Sequence, residues 1–303
     1  MRVRLLYTDG HGKFEETMWT KPEIADDEIE VKAVMTGVCR SDIDMMVGKF
    51  QTLPLHMQGH EGLGIVTKVG SKVEKNVPDI KEGDYVATRG EPAYADFYNA
   101  KQFEFVKVPA LEPRYILEPV ACGINVISQN KGLIDDKVNP RILILGSGFL
   151  AYSAYQYFVC RAQGPRKEIV VCGHSNKEIW GEALSCAFEG TFDIVIDLSP
   201  RTDVFELPIY NNEALLIIGA QKTITTDFSN LLWKAGCISF PSPRSRKFPI
   251  AMQLAEHLVT TNRIDAGKFW TKGYNRDTEW QEAFVDAATR IPGYSRGYIV
   301  WPH

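Results

Sequence analysis

The chain has no CxxC pair of cysteines, no run of five basic residues, and no uninterrupted apolar segment approaching the roughly 18 residues that a membrane span requires. Each absence closes off a class. Six cysteines, at positions 39, 122, 160, 172, 186 and 237, fall without regular spacing among 303 residues. In a chain of this size they read as reduced thiols in a cytoplasmic setting, not as a disulfide framework. The net charge of −4 argues against a polyanion partner, so no nucleic acid is expected. The densest basic stretch, around Arg244–Lys247, reads as a solvated loop or a phosphate contact. The opening stretch MRVRLLYTDGHGKF has only a short apolar run and no small-residue cleavage site, which predicts no secretion leader. No membrane partner is expected either. What remains is ordinary globular composition, 45% hydrophobic and 24% charged, with length for one large domain or two.

Against that background one stretch stands out. Thr36 to Glu61 places a thiol (Cys39), an imidazole (His60) and a carboxylate (Glu61) in polar, glycine-punctuated sequence. Those are the donors that a borderline-soft divalent cation such as zinc selects. Cys39 and His60 are too far apart to share one helix, so only a folded domain brings them together. For an isolated cysteine and an isolated histidine, the plainer reading is a buried thiol and a hydrogen-bonded surface imidazole.

The surrounding string favours the metal. TGVCRSDIDMMVG followed by GHEGLGIVTKVG resembles the zinc-binding signature of the medium-chain alcohol dehydrogenase/reductase family, and KEGDYVA at Lys81–Ala87 matches a strand motif of the same family. The resemblance runs from about residue 25 to the C-terminus. It implies an α/β protein with a GroES-like β-barrel catalytic domain and a dinucleotide-binding domain. The residues alone read as short strands at Arg2–Tyr7, Glu28–Met35, Gly62–Gly70, Asp84–Ala87 and Phe103–Val108, punctuated by Gly and Pro. That pattern suits an antiparallel, partly closed barrel.

The resemblance also implies roles. Cys39 and His60 become zinc ligands. Glu118, in LEPVACGINVI, stands where the polyol dehydrogenase branch carries a glutamate ligand, and Glu61 competes with it. The plainer reading of Glu118 is a carboxylate on a helix N-terminus, worth about 0.3–1 kcal/mol. Ser41 matches a hydroxyl that relays the substrate proton, and Asp42 a carboxylate that orients the ligand histidine. A helix cap is their plainer reading. Asp44 replaces a histidine that ends the proton relay in some relatives, and its lower reference pKa makes an outer relay harder to sustain. Arg40 becomes a contact to the cofactor pyrophosphate. The family's four-cysteine lobe has no counterpart, because ATRGEPAYADFY follows Val86 without a cysteine. One catalytic zinc per chain is therefore expected.

The second half carries its own signal. Arg141–Leu145, RILIL, reads as a buried parallel strand and leads into Gly146-Ser147-Gly148-Phe149-Leu150-Ala151 and a helical pattern to Arg161. Gly146 suits the tight turn, Gly148 lets a pyrophosphate approach the backbone, and Ala151 lets the helix pack closely. This is a Rossmann dinucleotide loop in its strand–turn–helix context. After the next strand, Glu168–Cys172, there is no ribose-binding carboxylate. Gly173, His174, Ser175 and Lys177 stand there instead, and Ser175 and Lys177 can donate to a 2′-phosphate. The Ser-x-Lys ending resembles the NADPH-dependent cinnamyl-alcohol branch, so NADP is favoured over NAD. Further strands are expected at Asp193–Asp197, Ala214–Gly219 and Cys237–Phe240. Little room remains between Ala183 and Phe192 for the strand that usually intervenes, so the Rossmann half is expected to be pruned.

Helices are expected at Pro249–Thr261 and Thr278–Thr289, and a strand at Gly297–Trp301. The expected domains are 1–122 with 268–303 (catalytic) and 123–267 (cofactor-binding), with the site in the cleft between them. In the family the last sheet strand often pairs between subunits, which implies a homodimer. The leading reading is a zinc-dependent oxidoreductase moving a hydride between NADP(H) and an alcohol or carbonyl substrate, with Phe50, His56 and Tyr94 as candidate pocket walls. The alternatives are a zinc-free quinone or enone reductase of the same fold, and a nucleotide-binding protein without catalysis.

Overall fold

In a computed structural model that describes residues 1–49, 54, 57–161, 168–220 and 222–302, the chain forms two compact units. One comprises Met1–Pro119 with Met252–His303, and the other Val120–Ala251. Strand β1 (Arg2–Thr8) buries Val3, Leu5, Leu6 and Thr8 and pairs antiparallel with β2 (Phe14–Thr20). The central strand of the first unit is β3 (Glu28–Gly37), which buries Ile29, Val31, Ala33 and Val34 and half-buries Met35. It runs through Val38 and Cys39 into helix α1 (Arg40–Met46).

Strand β4 (Gly62–Val69) lies antiparallel to β3 and is followed by α2 (Ser71–Asn76). Then come β5 (Tyr85–Thr88), on the far side of β4, β6 (Phe97–Lys101), which pairs with the first half of β3, and β7 (Phe105–Lys107), which pairs with β5. The hairpin partner β2 and the strand β6 had no clear sequence signal: FEETMWT and FYNAK are polar enough to pass for loop, and only pairing with β1 and β3 makes them strands. The core of this unit includes an aromatic group. Phe14 stacks on Phe284 at 3.7 Å between ring centroids, and Tyr94 stands edge-on to both, at 5.9 and 5.4 Å. Such pairs contribute about 0.5–1.5 kcal/mol each beyond area burial.

Helix α3 (Glu118–Ser128) leads into the second unit and is followed by α4 (Lys131–Asp135), β8 (Arg141–Leu145), α5 (Phe149–Arg161) and β9 (Glu168–Cys172). Next come α6 (Lys177–Trp180), β10 (Leu184–Ser185), β11 (Phe192–Asp197), β12 (Tyr210–Ile218), α7 (Ser229–Trp233) and β13 (Cys237–Ser239). The six strands form a parallel sheet in the order β10-β9-β8-β11-β12-β13. Numbered within the sheet this is 3-2-1-4-5-6, the doubly wound order of dinucleotide-binding proteins, whose direction reverses beside β8. The near-continuous apolar runs of β8, β11 and β12 fit burial on both faces. The pruning expected between Ala183 and Phe192 takes the form of a strand of two residues, β10.

The chain returns to the first unit through α8 (Phe248–Thr260), β14 (Trp270–Asn275), α9 (Trp280–Thr289) and β15 (Arg296–Val300). β14 and β15 are parallel, with Trp270 opposite Arg296, and β15 lies antiparallel to the end of β3, with Tyr298 opposite Gly37. The last strand thereby reaches the strand end that leads to Cys39. Among the described residues, no helix is long and apolar enough to cross a membrane.

Candidate functional site

The end of β3 and the start of β4 bring the three donors of the Thr36–Glu61 stretch together. One ligand atom from each of Cys39, His60 and Glu61 lies within 4.8 Å of the other two. Cys39 is the N-cap of α1, and its backbone N–H donates to Oδ2 of Asp42 at 3.0 Å. Asp42 thus does what its cap reading predicts, and more. Its other oxygen, Oδ1, faces Nδ1 of His60 at 3.6 Å, while Nε2 of His60 lies 3.9 Å from Oε1 of Glu61. Behind Asp42, Tyr94 donates its hydroxyl to Oδ2 at 2.8 Å. Tyr94, expected on a pocket wall, is fully buried and acts behind the site. Phe50 and His56 lie outside the described residues.

The electrostatics of the cluster are those of a cation trap. Burial pushes the His60 pKa down. The charge of Asp42, a hydrogen bond to Cys39 and the charges of Glu118 and Cys39 outweigh it and lift the pKa well above the usual histidine value. The acidic groups around His60 favour positive charge at that place. Burial, opposed by His60 and assisted by Glu61, also raises the Asp42 pKa. Burial and the neighbouring Asp42 charge raise Tyr94 well above the phenol range, so it remains a donor.

Two buried oxygens, Asp42 Oδ1 and Glu61 Oε2, have no hydrogen-bond partner. Orphaned carboxylate oxygens beside a thiol and an imidazole fit a divalent cation of the zinc type. Glu118, the first residue of α3, is buried, and its charge is felt by both His60 and Arg296. It stands outside the three-donor group.

Sequence reasoning did not foresee Arg296. From β15 its Nη2 donates to Oε1 of Glu61, 235 residues earlier in the chain. Burial works against its charge, but Glu61 and Cys39 hold its pKa above the ordinary arginine value. The available signal was an arginine between β-formers in SRGYIVW: a buried guanidinium needs an acid partner. Ser41 is half-buried on the first turn of α1. Asp44 is flanked by Arg40 at 3.2 Å and Lys49 at 3.3 Å, two ion pairs that occupy its charge.

In the second unit, Gly146 adopts φ +118°, and a Cβ there would meet the Leu198 carbonyl at 2.7 Å. A Cβ on exposed Gly148, by contrast, would meet nothing within 4 Å. That open cradle before α5 is what a pyrophosphate needs. Ser147 ties the loop to the turn after β9. Its hydroxyl pairs with that of Ser175 at 2.9 Å and accepts the Ser175 N–H at 3.1 Å. Its carbonyl accepts from Asn176 and Trp180, each at 2.9 Å. Gly173 is needed there, because a Cβ would run into Ser147. Phe149 is buried and Leu150 half-buried at the start of α5, while His174, Ser175 and Lys177 are exposed.

Comparison with known proteins bears on the fold. The alcohol dehydrogenase GroES-like domain matches residues 25–109. The D-arabitol-phosphate dehydrogenase of Enterococcus avium is 24% identical over 87% of each chain, and a probable mannitol dehydrogenase of Fragaria ananassa is 36% identical over 56% of each. The chain thus spans about half the length of the plant enzyme. Among solved structures, an Escherichia coli oxidoreductase/dehydrogenase of unknown specificity superposes with a TM-score of 0.79 at 19% identity, covering 100% of both chains. A putative zinc-binding dehydrogenase of Sinorhizobium meliloti bound to NADP gives 0.76 at 16% identity, covering 99% of both.

A parallel sheet wound for a dinucleotide and a barrel unit of the GroES type define an NAD(P)-dependent dehydrogenase. Over residues 25–109 the chain matches the alcohol dehydrogenase GroES-like domain, and beyond them it is similar to polyol and alcohol dehydrogenases.

Proposed function

We propose that this dehydrogenase is zinc-dependent and NADP-linked, and that it moves a hydride between the cofactor and the carbinol or carbonyl carbon of a small alcohol or carbonyl compound. The observation that carries the reading is the meeting of Cys39, His60 and Glu61 donor atoms within 4.8 Å, with Asp42 behind His60. Cys39 and His60 hold the cation, and Glu118 or Glu61 supplies the third protein ligand. The bound cation supplies Lewis acidity at the substrate oxygen, and the nicotinamide supplies the hydride chemistry.

This chain's residues do the rest. Asp42 fixes the ring of His60, and Tyr94 fixes Asp42. Ser41 takes up the hydroxyl proton of the alcohol and passes it to water. Asp44 is a poor onward acceptor because Arg40 and Lys49 already hold its charge. The amides from Gly146 to Leu150 cradle the pyrophosphate, with Arg40 as a further contact. Ser175, Lys177 and His174, on a turn without a carboxylate, receive the 2′-phosphate. The names of the relatives put polyols and their phosphates at the head of a substrate panel.

Two extensions belong to the same reading. The edge strand β13 is followed by Phe240, 69% exposed, and preceded by Leu232 and Trp233, 77% and 87% exposed, which favours a homodimer formed along that edge. None of the six cysteines forms a disulfide, which favours a cytoplasmic location.

Protein purified without chelator should carry one zinc per chain and oxidise NADPH against a panel of aldehydes and ketones. Zinc bound with no turnover on any carbonyl would sink the proposal.

A further inference from the structure

Glu61 is confined by residues from three separate strands. Arg296 on β15 donates to its Oε1. Gly37 on β3 passes beneath its Oε2 so closely that a Cβ at position 37 would collide with that oxygen. The same Cβ would sit 2.8 Å from Cη2 of Trp270, so the indole edge closes the space over Gly37 beside the carboxylate. Trp270 also carries the Arg296 guanidinium on its face, with Cζ 5.1 Å from the ring centroid. The register of β14 and β15 sets this up by placing Trp270 opposite Arg296. Trp270 is itself braced edge-on by Tyr298, with centroids 6.0 Å apart and planes at 88°.

We propose that Trp270 is a positioning residue for the metal site: by stacking on Arg296 and closing the space over Gly37, it presents Glu61 beside Cys39 and His60 in a single orientation. The inference rests on the metal reading given above. Glu61 Oε2 has no hydrogen-bond partner, so no direct bond holds that end of the carboxylate. Its orientation comes from Arg296 on one oxygen and from shape on the other. Removing the indole frees the guanidinium to change rotamer, and Glu61 moves with it. Adding a methyl group at Gly37 pushes Glu61 off the same position from below.

The test uses the full chain loaded with Co(II), whose visible bands report the ligand geometry. Trp270→Phe keeps an aromatic face for the guanidinium, whereas Trp270→Leu keeps bulk without the face. Folding of every variant is checked by circular dichroism. Trp270→Leu and Gly37→Ala should shift the cobalt bands and release the metal to a chelator about tenfold faster than wild type, the scale typical of groups that support metal ligands. Trp270→Phe should stay near wild type. A Trp270→Leu protein with the wild-type spectrum and release rate overturns the role of Trp270 while leaving the metal reading intact. A wild-type protein that takes up no cobalt and no zinc overturns both.

Discussion

Tyr94 and Asp42 are joined by a hydrogen bond of 2.8 Å in the interior of the first unit, 52 residues apart in the chain, and both side chains are fully buried. The bond ties the site to the aromatic core, because the ring of Tyr94 is packed edge-on against Phe14 and Phe284. Asp42 in turn faces His60. The position of the His60 imidazole is thereby linked to core packing through Asp42 and Tyr94.

Tyr94→Phe keeps the packing and deletes the bond. Oδ2 of Asp42 is left with the Cys39 N–H, inside a site that already raises its pKa through burial. Stability should fall by about 1–3 kcal/mol, the cost of leaving a buried polar group underbonded. Urea unfolding of the variant and the wild type measures the difference, and metal retention should fall with it.

Ser41 is tested by kinetics. If its hydroxyl carries the substrate proton, Ser41→Ala lowers kcat by about 10²–10³ at unchanged metal content, a typical range for a positioned proton-transfer group. Ser41→Thr restores much of the rate. A kcat within twofold of wild type removes Ser41 from the mechanism.

Much of this site could be read before any coordinates. Cys39, His60 and Glu61 were marked by residue type and by the glycines around them, and β8 with its Gly146–Gly148 loop by a short apolar run ending in a tight turn. Both signals are local. Arg296 and Trp270 escaped because their roles exist only through pairing across strands: Arg296 meets Glu61 through the β15–β3 ladder, and Trp270 meets Arg296 through the β14–β15 register. Tyr94 reads in the sequence as a pocket wall, whereas its hydroxyl serves Asp42 from 52 residues away. The two-residue β10 was legible only as a shortage of chain, since two residues carry no period. Polar strands such as β2 were missed because a neighbour, not their own pattern, makes them strands.

In the proposed reading, the preference for NADP follows from charge. Lys177→Ala should raise the KM for NADPH about tenfold and leave that for NADH nearly unchanged, because a hydrogen bond to a charged group is worth about 1.5–3 kcal/mol. Ser175→Asp should go further and invert the preference by placing a carboxylate beside the 2′-phosphate position. Steady-state kinetics with both cofactors decides. Equal effects on NADH and NADPH would remove the 2′-phosphate reading.

The pH dependence of stability has a candidate source in the buried pair Lys21–Glu30, 2.8 Å apart, with side chains 2% and 5% exposed. Burial raises the Glu30 pKa. Hydrogen bonds from Lys21 and Thr67 and the charges of Lys21 and Lys68 overcome it and hold the value below the usual 4.5. A depressed folded-state pKa contributes stability that is present above pH 4.5 and lost as pH falls through the folded value. Lys21→Met leaves the buried carboxylate with only Thr67 and the more exposed Lys68, and should cost about 3 kcal/mol at pH 7. The gap to wild type should narrow below pH 4.5 as Glu30 takes up a proton, which denaturant melts between pH 7 and pH 3 would follow.

The separation of 235 residues between Glu61 and Arg296 has a consequence for synthesis on the ribosome. Cys39, Asp42, His60, Glu61 and Tyr94 all emerge before the whole parallel sheet from β8 to β13 has been translated, whereas β14 and β15 emerge after it. Until then the nascent chain displays a thiol, an imidazole and a carboxylate that no guanidinium restrains. The three donors are therefore unrestrained early in synthesis and confined late, and the last strands of the chain act as the catch that closes the cluster.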